Sequence, residues 1–346
     1  MNATGLRAAA ASVLALWLAA CAGSIDDLPV RFDDRCVACD HPACDDPLEV
    51  QYLGSGGFAL RRGGDEILTG PFFSNPSLLR TGLGTIETDE AAVEEHMPDA
   101  HDASAVLVGH AHYDHLMDVP AVVRLKAPDA VVYASRSGLN SIASEKLAGV
   151  PVDPHAWTPE RALDWMYPDG TDVRVLAIES MHAPHLLGIT FMQGSYDKPQ
   201  KKLPKRGSCW LEGRTHAFLI EFLDAPEKPG FSIHYQDSAS DSGVGFPPPK
   251  TWPGDARPYK ILLPTVASHA QVDGYPDGLL SHFEPDFTVL GHWEDFFRPF
   301  TRDPGKLRAV PATDVGDFLH ELEDEVQDRY VLPAPLTRVR FARSCP

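Results

Sequence analysis

The sequence predicts an α/β or α+β domain, a pattern that two layers of mixed β-sheet with helices on both outer faces would satisfy. Three observations predict it. Short apolar or alternating runs recur along the chain and are punctuated by glycine. A few stretches at helical spacing fall between them rather than in a block of their own. No linker, internal repeat or low-complexity tract divides the chain.

The elements follow in order. Strands are expected at Glu49–Leu53, Phe58–Arg61 and Glu66–Leu68, with Gly54, Gly56, Gly57, Gly63 and Gly64 marking the turns. Residues 70–103 read as loop with a short helix. Ala103–Val108 is an apolar run closed by Gly109, as expected of a buried strand. A helix at Val119–Leu125, a strand at Val131–Ala134 and an amphipathic helix at Ser135–Leu147 come next. Four strands are expected at Val173–Ile178, Gly188–Met192, Ala217–Phe222 and Phe231–Tyr235. Lys260–Pro264 and Phe287–Leu290 are further strands, separated by a helix near Gly278–His282. Asp314–Tyr330 is the longest helix by spacing, and Thr337–Phe341 alternates as a final strand.

Chemistry concentrates where the run Ala103–Val108 ends. His110-Ala-His112-Tyr-Asp114-His115 places two imidazoles two residues apart, so that on extended chain both face one cation. Asp114 and His115, beyond a bend, are positioned for a second. Imidazole and carboxylate donors suit zinc, with manganese or iron as alternatives.

This motif and the element order resemble the metallo-β-lactamase superfamily. The resemblance implies a four-layer αββα sandwich with two divalent metal ions at one sheet edge, and three more ligands downstream. His182 in Glu179-Ser-Met-His182-Ala-Pro-His185 takes the place of the third histidine of the first metal, with His185 as the alternative. Asp237 takes the place of the bridging aspartate, although Gln236 stands where the family usually has glycine and leaves the turn geometry in question. His292 takes the place of the last histidine. The implied activity is hydrolysis by a metal-activated hydroxide, with Asp114 binding the second metal and helping to orient the nucleophile. His269 is the candidate to protonate a leaving group or contact substrate. Tyr113 and Asp118 read as supporting residues. The stretches Tyr52–Phe58, Leu68–Ser74 and Gly291–Phe297 look closest to the branch of sugar-acid lactonases and phospholipase-D-like phosphodiesterases. These stretches do not separate the two activities; membrane tethering would suit a phosphodiester of lipid or envelope origin, which is the expected substrate. Lactone or ester hydrolysis, and a non-catalytic metal-binding lipoprotein, are the competing expectations.

The N-terminal stretch, with Arg7 followed by an apolar run to Leu18-Ala19-Ala20-Cys21, reads as a secretory signal over residues 1–20. The tetrad resembles a bacterial lipobox, which implies acylation of Cys21, a membrane anchor and a cell-envelope location. Ala22 after that cysteine implies outer-membrane sorting in a Gram-negative host. Residues 21–47 would then be a tether and Cys-rich leader, and 48–346 a single hydrolase domain.

Cys36, Cys39 and Cys44 crowd within nine residues, a spacing open to a metal knuckle or to disulfides. An oxidising compartment favours disulfides, among them a bridge from this segment to Cys209 or Cys345. The formal net charge of −19 argues against a nucleic-acid partner. Against that balance, Lys198, Lys201, Lys202, Lys205 and Arg206 cluster in one loop expected to border the site, where they could receive an anionic head group.

Overall fold

Residues 23–185, 188–241, 243–249 and 257–345 are described by a computed structural model. The expected signal segment and Cys21 lie outside the described residues. The strands, in chain order, are β1 Val30–Arg31, β2 Arg35–Ala38, β3 Leu48–Gly54, β4 Gly57–Arg62, β5 Asp65–Thr69, β6 Ala103–Leu107, β7 Val131–Ala134 and β8 Gly149–Pro151. They continue with β9 Val173–Ser180, β10 Thr215–Ala225, β11 Lys228–Tyr235, β12 Tyr259–Leu263, β13 Phe287–Val289, β14 Tyr330–Pro333 and β15 Arg338–Ala342. The α-helices are α1 Leu78–Leu83, α2 Glu90–His96, α3 Tyr113–Leu116, α4 Val119–Leu125, α5 Arg136–Ser141, α6 Asp277–Phe283 and α7 Val315–Val326.

Two mixed sheets result. One runs β2-β15-β3-β4-β5-β6-β7-β8 and the other β1-β14-β13-β12-β11-β10-β9. The period of two decides the layering. Along β6, Ala105 and Leu107 point into the core between the sheets, with Tyr52, Phe58, Phe218 and Ile233. Val106, on the opposite face, packs under the outer helices with Val93, Leu116, Val119 and Val122. Each such fully buried aliphatic side chain contributes about 1.5–3 kcal/mol. The second sheet is covered by α6 and α7 through Leu279, Phe283, Phe318 and Leu322. The Asp314 carboxylate caps α7 by accepting from Asp317 N at 3.1 Å.

Several expectations need correction. The segment before residue 48 is not merely a leader, because β1 pairs with β14 and β2 with β15 at the edges of the two sheets. Gly188–Met192 joins neither sheet. His185 N bonds to Ile189 O across a tight loop, and Ile189 and Phe191 face outward. The helix expected to Leu147 stops at Ser141, gives one 3₁₀ turn, and ends on Lys146 in the left-handed region. The terminal helix stops at Val326, where Gln327 turns to φ 57°. The cysteines form disulfides Cys36–Cys345 and Cys39–Cys44 and no metal knuckle, while Cys209 is a free thiol.

Candidate metal centre

The candidate ligands stand just past strand ends on one edge of the sandwich. β6 runs through Val108 and Gly109 into His110, and His112 is the residue preceding α3, which carries Asp114 and His115. His182 follows β9, Asp237 follows β11 and His292 follows β13. Close backbone approach is needed for this. A Cβ on Gly109 would fall 2.3 Å from an Asp237 carboxylate oxygen, and one on Gly56 would fall 2.6 Å from the His115 ring. Neither position admits a side chain without displacing the site.

Three groups of donors form, with ligand atoms in each within 4.8 Å of one another: His110–His112–His182, His110–His115–Asp237, and Asp114–His115–His292. Asp237 sits between the outer two groups. Its carboxylate lies 3.1 Å from His110 Nδ1 and 3.3 Å from His115 Nδ1, and it accepts Gly109 N–H at 3.1 Å. Asp114 Oδ2 is 3.4 Å from both His115 Nε2 and His292 Nε2.

Nε2 of His110 and His112 and Nδ1 of His115 and His292 are buried without a hydrogen-bond partner. Buried polar atoms are normally satisfied, so the orphaned Nε2 atoms of His110 and His112, which share a donor group with His182, fit a cation. Burial and neighbouring histidines hold the His110, His112 and His182 imidazoles well below their ordinary pKa, in the neutral form a metal ligand requires. Burial pushes the Asp114 carboxyl up, but His115 and His292 outweigh it and hold the group well below the carboxylate range. Burial pulls His115 down, and the Asp114 and Asp237 charges reverse that and raise it.

His182, not His185, joins the first group. The His182 ring lies 4.5 Å from that of His110 and 4.7 Å from that of His112. His185 stacks on His182 from outside at 4.6 Å, and its Nδ1 accepts Phe191 N–H. Gln236 is free of positive φ, and its buried amide donates to Ser240 Oγ and Gly245 O. The turn therefore needs no glycine there.

His269 is placed elsewhere. Its Nε2 bonds to Asp314 O, its Nδ1 faces Glu321 and its ring packs on Phe318, so it props the start of α7 and does not join the cluster. Asp118 accepts from Phe73 N, Ser74 N and Ser74 Oγ, with its pKa pushed up to about 6 by burial. It pins the loop after β5.

Sequence reasoning missed a buried network behind His292. The His292 amide donates to Tyr52 Oη at 3.0 Å and to Ser55 O at 2.8 Å. Tyr52 in turn donates to Glu294 Oε2 through a short bond, and Ser55 N–H donates to Glu294 Oε1 at 2.6 Å. Ser55 and His292 both occupy the left-handed region, at φ 49° and 53°, a conformation that costs about 1–2 kcal/mol for a residue with a Cβ. The network holds both there. The only sequence signal was an acid two residues past a candidate ligand.

No protein-family model matches the chain. A UPF0173 metal-dependent hydrolase of Salinibacter ruber is 27% identical over 149 residues, and the match covers 43% of this chain and 53% of that protein. The chain thus spans about half the length of this curated relative. Among solved structures, Igni18, a metallo hydrolase from Ignicoccus hospitalis, superposes with a TM-score of 0.51 at 16% identity, over 85% of this chain and 98% of its own. Together with the αββα layering and the five ligand stations, this decides the architecture. The chain has the metallo-β-lactamase fold. YhfI of Bacillus subtilis, described as a protein of that fold, aligns at TM-score 0.45 and 13% identity over 85% of this chain and 99% of its own.

Proposed function

We propose that the protein is a metal-dependent hydrolase holding two divalent cations, zinc foremost, and that its substrate is a phosphodiester of lipid or envelope origin. The observation that carries the reading is the gathering of His110, His112, His182, Asp237, Asp114, His115 and His292 into three adjoining donor groups, with the Nε2 atoms of His110 and His112 buried and without a hydrogen-bond partner. His110, His112 and His182 would hold one cation, Asp114, His115 and His292 the other, and Asp237 would face both. Two cations so held supply Lewis acidity and lower the pKa of water to near neutral. The chain's own contribution is orientation. Asp114, kept ionised, is placed to accept a hydrogen bond from the attacking water, and enclosure of the donors keeps bulk water away. The loop with five cations favours an anionic substrate such as the phosphodiester. Acylation at Cys21 would hold the enzyme at the cell envelope.

The test is metal analysis of purified protein together with chromogenic phosphodiester, lactone, thioester and β-lactam substrates. The expected result is about two equivalents of metal and phosphodiester turnover. Asp114→Ala should lower that turnover by more than the roughly 10- to 100-fold typical of losing a partner outside the ligand set. Turnover of lactones alone would reassign the substrate, and tight metal binding with no turnover would overturn the enzymatic reading. In high salt, membrane pelleting should require Cys21; a Cys21→Ser protein that still pellets there would sink the acyl anchor.

A further inference from the structure

Some surface cations are paired with acids, as in Arg61–Glu66, Arg124–Glu90, Arg257–Asp286, Arg298–Asp295 and Arg343–Asp45, and others, such as Arg136, Lys146 and Lys228, stand singly without an ion pair among the described residues. One loop gathers such cations. Lys198, Lys201, Lys202, Lys205 and Arg206 are all exposed, and among the described residues none of them makes an ion pair. Five uncompensated cations in nine residues are unexpected on a chain of net charge −19.

The loop packs against a short helix whose outward face is apolar. Ile86 N bonds to Lys205 O at 2.9 Å, and Gly207 lies so close to α1 that a Cβ there would stand 2.8 Å from Thr81 O. On α1, Leu79 is 60% and Leu83 55% exposed. Four residues apart, they share one helical face, and Arg80 beside them is also exposed. Single exposed leucines are ordinary. A pair bordered by uncompensated cations is an amphipathic surface of the kind that binds in a membrane interface. The inner side of α1 touches the metal motif, because Thr81 hydrogen-bonds Tyr113, which stands between His112 and Asp114. Exposed Ile189 and Phe191, next to His185, stand in the segment that leads to this loop.

We infer that α1 and the Lys198–Arg206 loop form a docking face for an anionic phospholipid bilayer, which brings the metal centre to the lipid surface. The cations meet the negative surface potential and the two leucines enter the interface. This contact is separate from any acyl chain and is reversible. Each lysine near an anionic surface strengthens binding about fivefold.

The test uses the full chain carrying Cys21→Ser, so that acylation contributes nothing, in flotation with phosphatidylcholine vesicles prepared with and without phosphatidylglycerol. Binding is expected only with phosphatidylglycerol and should be lost in high salt. The triple variant Lys201→Glu, Lys202→Glu, Lys205→Glu should bind about a hundredfold more weakly. Leu79→Ser with Leu83→Ser should weaken binding about tenfold. All five positions are exposed, and unchanged thermal unfolding checks that the fold persists. No binding, binding indifferent to phosphatidylglycerol, or a charge-reversed protein within about twofold of its parent overturns the inference. A leucine variant that binds as its parent does also overturns it, leaving a general polyanion site in place of a bilayer dock.

Discussion

The two halves of the metal centre are held by different means. The His110–His112–His182 group is assembled from chain ends that meet at the sheet edge. His182 is half-buried, its Nδ1 is satisfied by the carbonyl of the next residue, and only the stacked His185 backs it. The Asp114–His115–His292 group is enclosed and braced. The bond chain from His292 N–H through Tyr52 to Glu294, closed by Ser55 N–H, reaches across 242 residues of sequence. Candidate ligands can thus be positioned in one group by meeting chain ends and in another through residues outside the cluster.

This contrast is open to direct attack, beginning with the ligands themselves. His182→Ala and His292→Ala should each reduce bound metal from about two equivalents to about one, read by metal analysis and by cobalt absorption spectra. Different spectra for the two residual sites are expected, and a His292→Ala protein that keeps both equivalents would refute the division into halves. Next in size is Tyr52→Phe, which keeps the ring on Phe58 but removes the hydroxyl that receives His292 N–H. Affinity for the second equivalent should fall about 10- to 100-fold, with the first unchanged. Equal loss at both sites in a metal titration would show that the brace serves the whole fold rather than one half.

A smaller effect separates ligand histidines from merely buried ones. His234 lies buried on β11, its pKa pulled down to about 3 by burial. The unfolded chain takes up this proton near pH 6.5 and the folded chain only near pH 3. Stability from this group is therefore full above pH 6.5 and lost as pH falls through that window. At pH 5 the difference is about 2 kcal/mol. Denaturant midpoints of His234→Leu should fall less between pH 7 and about pH 5 than those of the parent, whether or not metal is present. An identical acid dependence in the two proteins would show that His234 carries none of it.

The candidate ligands of both halves were legible in the sequence because each stands just past an apolar run. His110, His112, Asp114 and His115 fall within six residues after an apolar run, and His182, Asp237 and His292 each sit just past one. The brace was not legible. Tyr52 reads as a strand aromatic and Glu294 as a surface acid until the fold brings them together, and no periodicity encodes that meeting. His269 misled for the complementary reason, since a histidine after a strand looks the same whether it faces a site or supports a helix. Strands β1, β2, β8 and β14 escaped because strands of two to four residues are too short to alternate. Gly188–Met192 erred the other way, being apolar enough for a strand yet turned outward beside the site.

The pairing of β1 with β14 and of β2 with β15, fastened by Cys36–Cys345 across 309 residues, also bears on time. An edge of each sheet joins the earliest strands of the fold to the latest. Contacts of such high order form slowly, and here they cannot begin until β14 and β15 have been synthesised. Until then β1 and β2 wait with unpaired edges, exposed to wrong partners, and β14 and β15 are the strands that release them.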